Sequence, residues 1–114
     1  YGLHSCLNVV TVGRGRPEAV LIRGGVVESG VELARVRRGA GVRERALADG
    51  PGKLCQALAV SRTDDGADLC ARASGLVVRD DGMRVGERSV RRLPRVGVAY
   101  AGAAAAWPLR FVLS

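Results

Sequence analysis

At 114 residues, 47% hydrophobic and 25% charged, the chain has the make-up of one globular domain and excludes a disordered or fibrous protein. No apolar run approaches the roughly 18 residues of a membrane span, and the opening residues lack the basic start and apolar core of a signal peptide, so a cytoplasmic monomer with no membrane partner is expected. A net charge of +7 predicts attraction to a polyanion, nucleic acid first; yet only Lys53 among the 18 basic residues is lysine, and a GC-rich coding sequence would produce the same arginine excess without function.

The first residue is Tyr1, and the opening segment already alternates as a strand does, so the chain reads as cut into. Residues 1–12 and 18–27 are expected as two strands of a hairpin turned at Gly13-Arg14-Gly15-Arg16-Pro17. Ser29 is placed to cap a helix through Arg38, with Val31, Arg35 and Arg38 on one face, ended by residues 39–41. A short helix is expected over 42–48, and residues 49–53 lead into an apolar helix over 54–60 with proline near its first turn.

Residues 61–67 read as an acidic surface loop and 68–71 as one helical turn. Beyond them the expectation is β-rich: 76–79 and 83–85 flank Asp80-Asp81-Gly82, a hairpin-turn signal. Strands are also expected over 95–100 and 109–114, separated by the small-residue loop 101–106. The fold class is therefore α+β, a single domain with a mostly antiparallel, curved sheet and a few short helices. Cys6, Cys55 and Cys70 form no Cys-x-x-Cys pair, which argues against zinc or a disulfide framework and for three buried small apolar groups.

Local chemistry concentrates at Gly50-Pro51-Gly52-Lys53, where a glycine-flanked turn opens a helix and aims free N–H groups outward beside an ammonium. The spacing is not that of a nucleotide-binding P-loop, so a nucleic-acid phosphate is the better ligand; the plainer reading is an ordinary helix start with a solvated lysine. No catalytic constellation assembles from these residues. His4 is the only histidine, and Asp64, Asp65, Asp80, Asp81 and Glu87 fall in loops or on exposed faces where turn roles dominate.

Five blocks occur in one order along nearly the whole chain: Tyr1-Gly-Leu-His-Ser-Cys-Leu-Asn8; Arg23; Gly50-Pro51-Gly52-Lys53-Leu54-Cys55-Gln56-Ala57-Leu58; Pro94-Arg95-Val96-Gly97-Val98; and Trp107-Pro108-Leu109-Arg110-Phe111. In these the chain resembles the 3-methyladenine (alkyladenine, methylpurine) DNA glycosylases, as the carboxyl-terminal portion of one such domain with the amino-terminal part of the fold missing. The resemblance implies a base-excision-repair enzyme without metal or other cofactor. Such an enzyme flips alkylated or deaminated purines out of double-stranded DNA and hydrolyses the N-glycosidic bond to leave an abasic site. It further implies Tyr1 as the wedge that fills the gap, supported by Leu3, and Asn8 as the residue that disfavours normal guanine in the base pocket. Arg23 and the Val96 main-chain carbonyl would hold the attacking water, while Gly52 and Lys53 would grip a DNA phosphate.

The family's general-base glutamate and base-stacking residues lie upstream of the Tyr-Gly motif, and Glu18, Glu28 and Glu32 do not match that position. The isolated chain is accordingly expected to be inactive or nearly so. Two other classes stay open: a non-catalytic DNA- or RNA-binding module, and an inactive gene fragment.

Overall fold

Apolar side chains at alternate positions commit a strand to bury one face, and the hairpin of the computed structural model shows how. The structure describes residues 6–11, 18–96 and 99–113. They divide between two units, Tyr1–Val77 and Val78–Ser114.

In the first unit β1 (Leu7–Val10) pairs antiparallel with β2 (Ala19–Ile22), Leu7 opposite Ile22 and Asn8 opposite Leu21. Of the expected strand 1–12 only residues 6–11 are described, and the second strand is shorter than the expected 18–27. β2 stops at Ile22 because Gly24 and Gly25 leave the ladder for another partner: the Gly25 N–H donates to the Ala48 carbonyl at 2.8 Å. Helix α1 (Val31–Arg38) follows, with Gly30 in a left-handed conformation (φ 73°) at its N-cap. Ser29 was expected to cap α1, but it sits one position too early and no side chain does so. The expected face of Val31, Arg35 and Arg38 is half-buried around buried Ala34, and Gly39 ends the helix as foreseen.

Between the helices, the chain makes only a 3₁₀ turn at Glu44–Ala46, and then Leu47 and Ala48 plunge inward. α2 (Pro51–Leu58) starts before the expected 54, with proline in its first turn, and stops before the expected 60, where Ala59 turns left-handed; it contributes Leu54, Cys55 and Ala57 to the interior. The core is Ala34, Leu47, Ala48, Leu54 and Ala57, with Leu7, Ile22, Val27, Val31 and Val42 packed on it. Leu47 is wholly buried, which contributes about 1.5–3 kcal/mol. The loop 61–67 contains a 3₁₀ turn, Arg62–Asp64, closed by a capping box in which the Ser61 N–H donates to Asp64 Oδ2 at 2.9 Å. The turn expected at 68–71 is closed by the Ala71 N–H donating to the Asp68 carbonyl at 3.2 Å, and a 3₁₀ turn follows at Arg72–Ser74.

In the second unit β3 (Val90–Leu93) pairs antiparallel with β4 (Arg110–Leu113). The fold class is α+β, with two helices and two two-stranded antiparallel sheets among the described residues. The hairpin expected from 76–79 and 83–85 is not formed. Gly82 turns with φ 82°, but Asp80 and Asp81 accept the N–H groups of Gly82 and Met83 at 2.8 and 2.9 Å, and exposed Val78, Met83 and Val85 have no layer to bury against. The strand expected at 95–100 lies earlier, at 90–93, because Pro94 has no N–H to continue a ladder. Its paired arginines masked the alternation: Arg92 lies over the Phe111 ring, 5.7 Å from the centroid, so its stem and charge both find an apolar partner. The expected loop 101–106 belongs to the 3₁₀ segment Ala99–Ala106, kinked at Gly102.

Of the three cysteines expected inside, only Cys55 is buried; burial, with Cys6 adding to it, pushes its thiol pKa up. Cys6 and Cys70 are exposed, Cys6 at the mouth of β1 and Cys70 in a turn whose N–H is taken by Asp68 Oδ1 at 2.9 Å.

α2 ends on a residue that resists its own conformation. Ala59 is left-handed (φ 54°, ψ 35°), donating its N–H back to the Gln56 carbonyl, a geometry in which Cβ costs about 1 kcal/mol. Ala59→Gly should stabilise the chain by about 0.5–1 kcal/mol in urea unfolding; an unchanged or lower midpoint would contradict the strain.

Candidate functional site

The register of the hairpin decides which residues share a surface. Directly paired residues of an antiparallel ladder point the same way and the side alternates at each step. Leu7, Val9, Val20 and Ile22 therefore occupy one face, the one whose Leu7 and Ile22 meet the core, while Asn8, Val10, Ala19 and Leu21 occupy the other. Arg23 follows directly on Ile22, the last paired residue of β2, and so lies at the end of the hairpin that carries Leu7 and Asn8. Asn8 is exposed and Arg23 half-buried. Asn8 thus lies on the face of the hairpin opposite the core, with Arg23 at that hairpin's end.

The same strand end abuts the expected phosphate turn. Gly24, next to Arg23, lies so close to the segment before α2 that a Cβ there would sit 3.0 Å from the Ala48 carbonyl oxygen and 3.5 Å from Asp49 Cα. Gly25 adds its hydrogen bond to Ala48. Asp49 then leads into Gly50, whose extended backbone (φ −160°, ψ 163°) forms the N-cap of α2 without any side-chain cap. Pro51 has no N–H, so the free donors of the first turn are those of Gly52 and Lys53. No acidic side chain occupies that turn, which leaves the positive end of the helix dipole uncompensated from within.

Lys53 pairs with Asp49 at 3.1 Å, both side chains about half exposed. Such a surface pair is worth roughly 0–1 kcal/mol, little enough for an incoming phosphate to displace Asp49. What fixes the turn lies on its far side: Arg38 donates from Nε to the Leu47 carbonyl at 3.0 Å and from Nη1 to Gln56 Oε1 at 2.9 Å. Gln56 Nε2 returns a bond to the Arg37 carbonyl at 3.0 Å, and Arg37 Nη1 reaches the Ala57 carbonyl at 3.0 Å, near the negative end of α2. This bracket went unnoticed in the sequence, where Arg38 is assigned only to a helix face.

Tyr1, Leu3 and His4 lie outside the described residues. Val96 belongs to the second unit, exposed in a bend two residues after Pro94, beside Arg95, whose Nη2 donates to the Ala104 carbonyl at 3.3 Å. Among the described residues no group of three or more metal-ligating side chains converges, and no helix is long and apolar enough to cross a membrane. Glu18, nearest in sequence to the Arg23 strand, alternates onto the core-side face, and Glu32 is engaged by Arg35 at 3.3 Å.

Comparison with known proteins gives this surface its context. The family model described as methylpurine-DNA glycosylase matches residues 1–114, the whole chain. A protein of Methanocella arvoryzae, named as a candidate 3-methyladenine DNA glycosylase, is 43% identical over 111 residues, which is 97% of this chain and 54% of the relative. Proteins with the same name from Bdellovibrio bacteriovorus and Streptomyces avermitilis are 42% and 41% identical, over 99% and 94% of this chain and 55% and 50% of theirs. The chain thus spans about half the length of the curated relatives it matches. On the full-length match and this level of identity, the chain belongs to the methylpurine-DNA glycosylase family.

Proposed function

We propose that this chain supplies the DNA-gripping and water-holding part of a 3-methyladenine DNA glycosylase, which hydrolyses the N-glycosidic bond of flipped alkylated or deaminated purines during base excision repair. The reading is supported by Asn8 turning away from the core and by the tie through Gly24 and Gly25, next to Arg23, to the residues that open the Lys53 turn. A duplex held by its phosphate at Gly52 and Lys53 would meet the hairpin face without further adjustment of this unit.

Each residue has a physical task in that reading. Lys53 and the Gly52 N–H neutralise one phosphate, a contact that positions the enzyme and reads no sequence. Asn8 leaves a purine carrying a 2-amino group misfitted, and Arg23 orients the water that attacks the sugar carbon. Tyr1, backed by Leu3, would stack in the gap left by the flipped base, and the Val96 carbonyl keeps the water-positioning role the resemblance implies. The reaction needs no metal or organic cofactor. Double-stranded DNA with damaged purines is the partner, met in the cytoplasm at the nucleoid by a monomer.

The resemblance places the family's general base upstream of Tyr1, and Glu18, Glu28 and Glu32 do not match that position. Losing that contribution typically lowers the rate by about 10²–10⁴-fold. A non-catalytic DNA-binding module would share the charge and the lysine turn, and differs in having no use for Asn8 or Arg23.

The purified chain should bind duplex DNA with an affinity that falls steeply with salt. Lys53→Met should make the slope of log K against log salt shallower by about 0.9, the contribution of one phosphate. Binding that ignores both salt and Lys53 would remove the basis of the phosphate role. On a hypoxanthine-containing duplex near neutral pH the same chain should release no free base. Release by a clean preparation would mean that its own carboxylates furnish the base. Equal affinity for damaged and intact duplexes, unmoved by Asn8→Ala, would favour the non-catalytic module.

A further inference from the structure

We infer that Arg38, through one guanidinium that spans both stems of the Gly50–Lys53 turn, is a positioning residue that holds the turn's N–H groups and ammonium in the arrangement that fits a DNA phosphate. The inference rests on the phosphate role proposed above and adds the device that makes the turn rigid.

The geometry is specific. Leu47 lies three positions before Gly50 and Gln56 three positions after Lys53. Arg38 Nε donates to the Leu47 carbonyl at 3.0 Å and its Nη1 to Gln56 Oε1 at 2.9 Å, so one planar group closes the loop behind the turn. A lysine could not replace it, because two acceptors on separate segments call for a fork with fixed angles between donors. The fork is itself anchored. Gln56 Nε2 donates to the carbonyl of neighbouring Arg37, and Arg37 Nη1 donates to the Ala57 carbonyl, so the end of α1 and the last turn of α2 are bound reciprocally.

Nothing on the solvent side does the same work. The Lys53–Asp49 pair is half exposed, and no side chain caps α2 at Gly50. Without Arg38, Leu47 would remain fixed by burial while the polar contact joining it to the far stem is gone. The turn would then sample orientations in which Gly52 and Lys53 do not converge on one phosphate, and ordering it would weaken binding.

The test compares Arg38→Met, Lys53→Met and the double variant of this chain on one undamaged duplex, over a series of salt concentrations, with circular dichroism confirming folded protein. If Arg38 acts through the turn, Arg38→Met weakens binding severalfold and makes the salt slope shallower by roughly 0.9; the double variant then resembles Lys53→Met, because both changes remove the same contact. Additive slope losses would show Arg38 touching phosphate directly, and a parental slope for folded Arg38→Met would reduce it to a structural residue; either result overturns the inference. Should Arg38→Met fail to fold, Arg38→Lys, which can satisfy at most one of the two acceptors well, carries the same comparison. A parental slope for Lys53→Met would instead sink the phosphate role beneath it.

Discussion

Leu47 and Ala48 hold the first unit together, because they face inward while their backbones face the site. Their side chains fill the space between α1, α2 and the hairpin, at 0% and 2% exposure. Their carbonyls meanwhile accept from two other elements, Leu47 from Arg38 at the end of α1 and Ala48 from Gly25 just past β2. A buried carbonyl without a partner would cost on the order of 1–3 kcal/mol, so each bond is enforced by the same burial that stabilises the core. Packing and site geometry are one constraint here, written into two consecutive residues.

From that constraint the arrangement of the surface follows. Burial of Leu7 and Ile22 sets the register of the hairpin, and the register turns Asn8 to the other side, with Arg23 following at the end of β2. The Ala48 bond brings the Arg23 end of β2 against the segment that opens α2, and the missing cap at Gly50 leaves the N–H groups of Gly52 and Lys53 for an external anion. A family that flips bases needs its phosphate grip and its base-facing residues at fixed separation, since an extruded nucleotide is tethered to the backbone that the enzyme holds. A two-stranded ribbon docked on a short helix start meets that need with few residues.

Legibility in the sequence tracked how local the physics was. Pro51 after Gly50 and the i, i+4, i+7 spacing of Val31, Arg35 and Arg38 are decided within a turn or two of chain, and both helices form around those signals, although α2 starts earlier than its apolar run and Ser29 does not cap α1. The lysine turn and the family motifs were equally readable as short ordered blocks. Strand extent was not, because it depends on what a strand can pair with and bury against. Residues 76–79 and 83–85 have strand-like composition around a true turn, yet Asp80 and Asp81 take the N–H groups beside it and no layer covers the flanks. Val90-Arg91-Arg92-Leu93 does pair, although its two arginines hide the alternation. The Arg38 bracket was invisible for a related reason: its acceptors, Leu47 and Gln56, lie 9 and 18 positions away, and one of them is a backbone carbonyl that no residue pattern marks.

The account stands on the hairpin and the lysine turn meeting DNA as one rigid surface, and backbone hydrogen exchange with and without an abasic-site duplex addresses that directly. Slower exchange on binding should appear together in β1–β2 and in the first turn of α2, with the second face of the hairpin and the Gly52 and Lys53 amides responding at the same DNA concentration. Protection confined to one of these elements, or appearing in neither, would contradict the shared surface and with it the functional reading built on the hairpin register.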